Sequence, residues 1–289
     1  MTDVRYGVVV GYDGSASADQ AVDWAAAEAA ARSVRLTVCH VWQLAYSGMM
    51  VPAVDEFERA AAEVAHSGVR RALDAVPGLD AHPLVACGSQ ARTLLDVGRS
   101  ADLLVVGSHG VSGVRELLLG SVSAQVAAHA AGPVVVVRGE SDPSPEYYPG
   151  RIVVGVDGSP AADRALGFAF EEAELHHVPL TAVCAWSRQV AEDAAALPYV
   201  GGQALGELAE ERFRESVARW SAKHPGVQVH LDLRDEPVVP LMLSLAAEAR
   251  LLVVGSRGLG GVRARVLGSV SQAILHQAPC PVAVVHTAA

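Results

Sequence analysis

Two stretches of this chain have residue types and spacing suited to holding an anion. In the first, the apolar run Leu103 to Val106 breaks into Gly107, Ser108, His109, Gly110, Val111, Ser112 and Gly113, then reaches Gly120, Ser121, Val122 and Ser123. The second writes the same pattern as Gly255, Ser256, Arg257, Gly258, Leu259, Gly260 and Gly261, then Gly268, Ser269, Val270 and Ser271. In both the order is glycine, two residues, glycine, nine residues, Gly-Ser, with a strand-like run before and an apolar helix-like run after. Glycines let backbone N–H groups turn toward a bound anion, and a helix opening at Gly-Ser adds unpaired N–H groups and the positive end of its dipole. The chemistry implied is a phosphate cradle, present twice. A glycine-rich strand-to-helix loop can be purely structural, but two copies with the full spacing carry more weight than one.

The elements that must position these loops can be read from the same pattern. Tyr6 to Tyr12 is a β-branched run that ends in Asp13, Gly14 and Ser15, which predicts a strand buried on both faces and a tight turn. Ser15 or Ser17 can cap the helix that follows, whose Ala21, Val22, Ala25, Ala29 stripe has helical spacing. Strands are then predicted at 34–42, 79–86, 103–106 and 133–138, with helices at 54–76, 89–99 and 121–131. Residues 43–53 read as a loop or lid. The segment 140–150, with Pro143, Pro145 and Pro149, reads as a linker.

After it the order restarts. Residues 151–159, RIVVGVDGS, match 7–15, GVVVGYDGS, at an offset of 144 (157 − 13), and the glycine loops match at 148 (255 − 107). The second copy therefore holds four extra residues (148 − 144), expected between 187 and 202. The expected architecture is α/β, with two tandem domains, 1–139 and 151–289. Each is a doubly wound, open, parallel five-stranded sheet of order 3-2-1-4-5 with helices on both faces. That order sets the turn after strand 1 (Gly11, Asp13, and in the second copy Gly155, Asp157) beside the glycine loop after strand 4, where open sheets bind ligands.

The totals narrow the function. The 289 residues hold 22 Lys and Arg against 32 Asp and Glu, a formal charge of −10, so nucleic acid or an anionic membrane has no electrostatic support as a partner. With 51% hydrophobic and 19% charged residues the chain reads as a globular protein with a large core. No apolar run reaches membrane-spanning length, and no secretory leader is visible at residues 1–5. Cys39, Cys87, Cys184 and Cys280 lie far apart, which reads as buried thiols in a reducing cytoplasm.

The glycine spacing together with V-G-x-D-G-S after strand 1 resembles the universal stress protein family in its tandem two-domain form, over almost the whole chain. Because neither copy has lost a glycine, it resembles the ATP-binding subclass. The resemblance implies one adenine nucleotide per domain and a homodimer joined through terminal edge strands. It places Asp13 and Asp157 by the ribose or a nucleotide-bound Mg²⁺, and the backbone of Val41 and Ala185 against adenine. Gly107, Gly110, Gly120 and Ser121, with Gly255, Gly258, Gly268 and Ser269, would hold phosphates and ribose. Ser108, His109, Gly113, Val122 and Ser123 complete the first set, and Ser256, Arg257, Gly261, Arg265, Val270 and Ser271 the second.

A structural role competes at several of these positions. Asp13 and Asp157 suit Asx turns, and Trp42 and Trp186 suit packing at strand ends. No G-x-x-x-x-G-K-[ST] is present, and the chain's single lysine, Lys223, lies near neither loop. A regulatory binding protein is thus favoured over an enzyme, with a slow ATP hydrolase of the same fold as the alternative.

Overall fold

The computed structural model describes residues 6–43, 54–110, 119–138, 150–185, 202–259 and 267–287. These fall into two compact units, 6–138 and 150–287. The expected lid, most of the linker, the four-residue insertion, Gly113, Trp186, Gly261 and Arg265 lie outside the described residues.

The first unit runs β1 (Val8–Gly11), α1 (Ala16–Arg32), β2 (Leu36–Trp42), α2 (Val54–Ala75), β3 (Ala81–Cys87), α3 (Gln90–Gly98), β4 (Leu103–Gly107), α4 (Ser121–His129) and β5 (Val134–Val137). Its strands lie parallel in the order β3-β2-β1-β4-β5. Val8, Val9 and Val10 have no exposed surface, because a central strand covered on both faces offers solvent nothing. Helices α1 and α2 pack together against one face, α3 and α4 against the other.

The second unit repeats this as β6 (Arg151–Gly155), α5 (Pro160–His176), β7 (Leu180–Ala185), α6 (Gly202–Ser221), β8 (Val229–Arg234), α7 (Val238–Ala246), β9 (Ala249–Gly255), α8 (Ser269–Gln277) and β10 (Val282–Val285). The order is β8-β7-β6-β9-β10, again parallel. Leu36 pairs with Ala81 and Leu180 with Val229, so β7 keeps the offset of 144 (180 − 36) while β8 has moved to 148 (229 − 81). The extra residues therefore fall between these two strands.

Local sequence explains the helix that follows each first strand. Ser15 Oγ accepts the Ala18 N–H at 3.2 Å and Ser159 Oγ the Ala162 N–H at 3.1 Å, both as N-caps. Pro160 suits the first turn of α5 because its missing N–H has no partner there anyway. Gly14 and Gly158, at φ +80° and +81°, take the left-handed conformation that the tight turn requires.

One expectation about composition fails. Cys39, Cys184 and Cys280 are buried, but Cys87 is exposed, because it ends β3, an outer strand of its unit with an exposed flank.

Candidate functional site

At the carboxyl end of each sheet, where the strand order reverses, lies a cleft. The first measures about 770 Å³ and is walled by the turn after β1, the end of β2, the start of α3, the glycine loop after β4 and the start of α4. The second, about 690 Å³, uses the equivalent elements of its own unit. Its wall includes Gly155, Asp157, Ala185, Gly255, Arg257, Gly258, Gly268, Ser269, Val270 and Ser271. The first brings together Gly11, Asp13, Val41, Gly107, His109, Gly110, Gly120, Ser121, Val122 and Ser123. Ser108 and Ser256 are buried behind the loops.

Gly120 takes the N-cap position of α4 at φ −61°, ψ 150°, and Gly268 that of α8 at −62°, 153°. Neither helix has a side-chain cap, so the first-turn N–H groups at 121–123 and 269–271 have no intrahelical acceptor and open on the cleft. The hydroxyl of the third residue in each start is already committed. Ser123 Oγ donates to Gly107 O at 2.6 Å and Ser271 Oγ to Gly255 O at 2.7 Å, tying each helix to the preceding strand. A ligand at these two residues meets backbone rather than hydroxyl.

The loop glycines have a different reason from the one the sequence suggests. None of Gly107, Gly110, Gly120, Gly255, Gly258 and Gly268 has a positive φ. What they supply is closeness. A Cβ on Gly107 would lie 2.6 Å from Ser17 O, and one on Gly255 2.8 Å from the Ala161 carbonyl carbon, so both are required where the β4 and β9 ends meet helix backbone. A Cβ on Gly110 would stand 2.7 Å from Asp13 Oδ2, and one on Gly258 2.5 Å from Asp157 Oδ2. Each aspartate thus lies across its loop.

Asp13 Oδ1 accepts the Ser15 N–H at 3.0 Å, and Asp157 Oδ1 accepts the Ser159 N–H at 2.9 Å, which are the Asx turns. Asp157 Oδ2 also accepts the Leu259 N–H at 3.2 Å. Both Asp157 oxygens keep a further lone pair, which suits a ribose hydroxyl or a nucleotide-bound Mg²⁺.

The two loops are braced differently. In the first, Ser17 Oγ accepts the His109 N–H at 3.2 Å and lies 3.3 Å from Ser108 Oγ, which in turn is 2.9 Å from His109 Nδ1. His109 Nε2 is shut from solvent and has no hydrogen-bond partner among the described residues. The matching residue to Ser17 is Ala161, so the second loop is held by Ser159, whose Oγ donates to Arg257 O at 3.1 Å. Arg257 itself is exposed and lines its cleft.

The register leaves an opening for a flat group. Gly11 pairs with Cys39, and the Tyr12 N–H donates to Cys39 O at 2.9 Å, where β1 ends. Val41 lies two residues further, so its N–H and C=O point to the same side, past the end of β1. The acceptor that would have met its N–H, Tyr12 O, is 2.8 Å from His40 Nδ1. In the second unit Val156 N–H donates to Val183 O at 2.8 Å, and Ala185 is left open in the same way.

His40 was not singled out from the sequence. The signal was a polar residue near the end of an otherwise apolar strand; its counterpart is Cys184, which burial, and then the Asp157 charge, push up to about 11. Trp42 lies parallel to Phe57 at 6.4 Å, which is packing at the strand end, while also lining the cleft.

Two tandem, doubly wound α/β units, each with an open cleft at its switch point and an uncapped helix start beside a glycine loop, define the class of protein. The family model described as universal stress protein family matches residues 7–138 and 149–286. The chain belongs to that family. It is 35% identical over 292 residues to a universal stress protein of Mycolicibacterium smegmatis, covering 97% of both chains. It is also 35% identical over 291 residues to one of Mycobacterium tuberculosis, again covering 97% of each. The solved structure of a universal stress protein from Archaeoglobus fulgidus shares the fold at TM-score 0.70 and 21% identity, with 97% of this chain and 98% of that one covered. Among the described residues no helix is long and apolar enough to cross a membrane.

Proposed function

We propose that each unit binds one adenine nucleotide and that the protein acts as a cytoplasmic, regulatory nucleotide-binding protein of the stress response. The observation that carries this reading is the pairing, in both clefts, of an uncapped helix N-terminus with a loop whose glycines bring backbone to the cleft edge. Phosphates lie against the N–H groups at 121–123 and 269–271. The ribose, with any Mg²⁺, lies against Asp13 or Asp157. The adenine edge meets the open backbone of Val41 or Ala185. A bound Mg²⁺ would offset phosphate charge, and Asp157 has the acceptor capacity to take part in holding it.

Hydrolysis is the second reading and has less behind it. Lys223 Nζ sits 4.0 Å over the Trp220 ring, in contact with α6 rather than with a cleft. Homodimerisation through the terminal strands follows from the family resemblance, and sedimentation velocity at micromolar concentration tests it. The nucleotide reading is tested by denaturing the purified protein and identifying released small molecules by mass spectrometry, then titrating stripped protein with ATP. ATP or ADP at a stoichiometry near two is expected. No nucleotide and no heat of binding would end the proposal.

A further inference from the structure

We propose that Gln90 makes the first cleft a reader of the purine N6/N7 edge, while the second cleft, with Val238 at the same place, accepts the base without that contact; this rests on the adenine-nucleotide reading above. Gln90 opens α3, three residues past the end of β3, whose Ala86 and Cys87 pair with Val41 and Trp42. Gly88 N–H donates to Trp42 O at 2.9 Å, which holds the start of α3 beside the end of β2. Further along α3, Leu94 reaches the sheet at Gly11, where a Cβ would stand 3.0 Å from Leu94 Cδ1. The helix therefore crosses from β3 toward β1, over the place where Val41 leaves its backbone open. Gln90 is exposed, lines the same cleft, and its carboxamide makes no hydrogen bond among the described residues.

A backbone N–H and C=O pair such as Val41 offers complements one edge of adenine, N1 and the 6-amino group. A carboxamide complements the adjacent edge, donating to N7 and accepting from the other 6-amino hydrogen. Both edges would then be held at once in the first cleft. In the second unit the start of α7 is Val238, and Met242 stands where Leu94 does; both line the cleft and neither forms a strong hydrogen bond there.

The test uses ATP and 7-deaza-ATP, which keeps N1 and the 6-amino group and lacks only the N7 acceptor. Calorimetric titrations are run on the full chain with one cleft closed, by Gly258→Val or by Gly110→Val, whose Cβ would collide with Asp157 or Asp13. In the first cleft 7-deaza-ATP should bind about 3- to 10-fold more weakly than ATP, the value of one net hydrogen bond. In the second the two ligands should agree within about twofold. Gln90→Val should remove the first cleft's preference, and Val238→Gln should install one in the second. The unblocked chain should show the same two classes of site with 7-deaza-ATP, which guards against a blocking variant that disturbs folding. Equal ATP to 7-deaza-ATP ratios in both clefts, or a first-cleft ratio unchanged by Gln90→Val, would overturn the inference while leaving nucleotide binding intact. Absence of ATP binding in both clefts would overturn the nucleotide reading itself, and this inference with it.

Discussion

If Gly258 is glycine because of the Asp157 carboxylate, then its cost of substitution must vanish when the carboxylate is removed. In Gly258→Ala the new methyl would sit 2.5 Å from Oδ2, about 1 Å short of an ordinary contact. The carboxylate has to give way, and in doing so it loses the 3.2 Å bond from Leu259 N–H and strains the 2.9 Å bond from Ser159 N–H. One bond lost and one weakened amounts to about 1–2 kcal/mol. Asp157→Ala alone removes both bonds, about 1–3 kcal/mol on the same scale. In the Asp157→Ala background Gly258→Ala should cost less than about 0.5 kcal/mol, giving a coupling of roughly 1 kcal/mol in the double-mutant cycle. The assay is urea unfolding of the four proteins without nucleotide, followed by tryptophan fluorescence. Gly268→Ala is the control, since its Cβ would meet nothing closer than 3.5 Å. Additive costs for Gly258→Ala and Asp157→Ala would refute the argument and return the glycine to a role in ligand approach alone.

Four further outcomes are expected. Ser123→Ala and Ser271→Ala should each destabilise the protein by about 1–3 kcal/mol in urea unfolding, because the carbonyl of Gly107 or Gly255 loses its donor at a buried site. A thiol reagent at pH 8 should label Cys87 quickly and the other three cysteines only after unfolding. Burial pushes Cys39 and Cys280 up to about 12, so the folded state resists their ionisation; stability present below the ordinary thiol value of 9.0 should fall as pH rises from there toward 12, measured as the unfolding midpoint against pH. Arg257→Gln should weaken ATP binding in the second cleft and flatten its salt dependence, while leaving the first unchanged; an unaltered salt slope would show that the guanidinium points away from phosphate.

Much of the fold was legible because α/β repeats write themselves in apolar runs. The β1 and β4 strands are buried on both faces and read as runs of Val and Leu closed by a glycine, and the offsets of 144 and 148 marked the duplication before any geometry. The glycine spacing also marked the loops that line the two clefts. What it could not convey was the reason for the glycines, since the partner of Gly110 is Asp13 in another loop and that of Gly107 is the backbone of Ser17. The missing positive φ shows how a sequence rule about conformation can pick out a glycine whose geometry has a different cause. Gln90 and His40 were passed over because each sits in an element with no motif of its own; only the reversal of strand order brings them to the cleft. Cys87 misled because composition says nothing about which strand lies on the outside.

The unequal bracing of the two loops divides labour differently in the two halves. In the first, Ser15 caps α1 and Ser17 steadies the loop, so either hydroxyl can be lost without taking the other's task with it. In the second, Ser159 does both, accepting from Ala162 and donating to Arg257, and is itself buried. A single change there uncouples helix start and ligand loop together. The first half is therefore the more fault-tolerant of the two, and the second the one in which helix and loop are bound to respond as a unit.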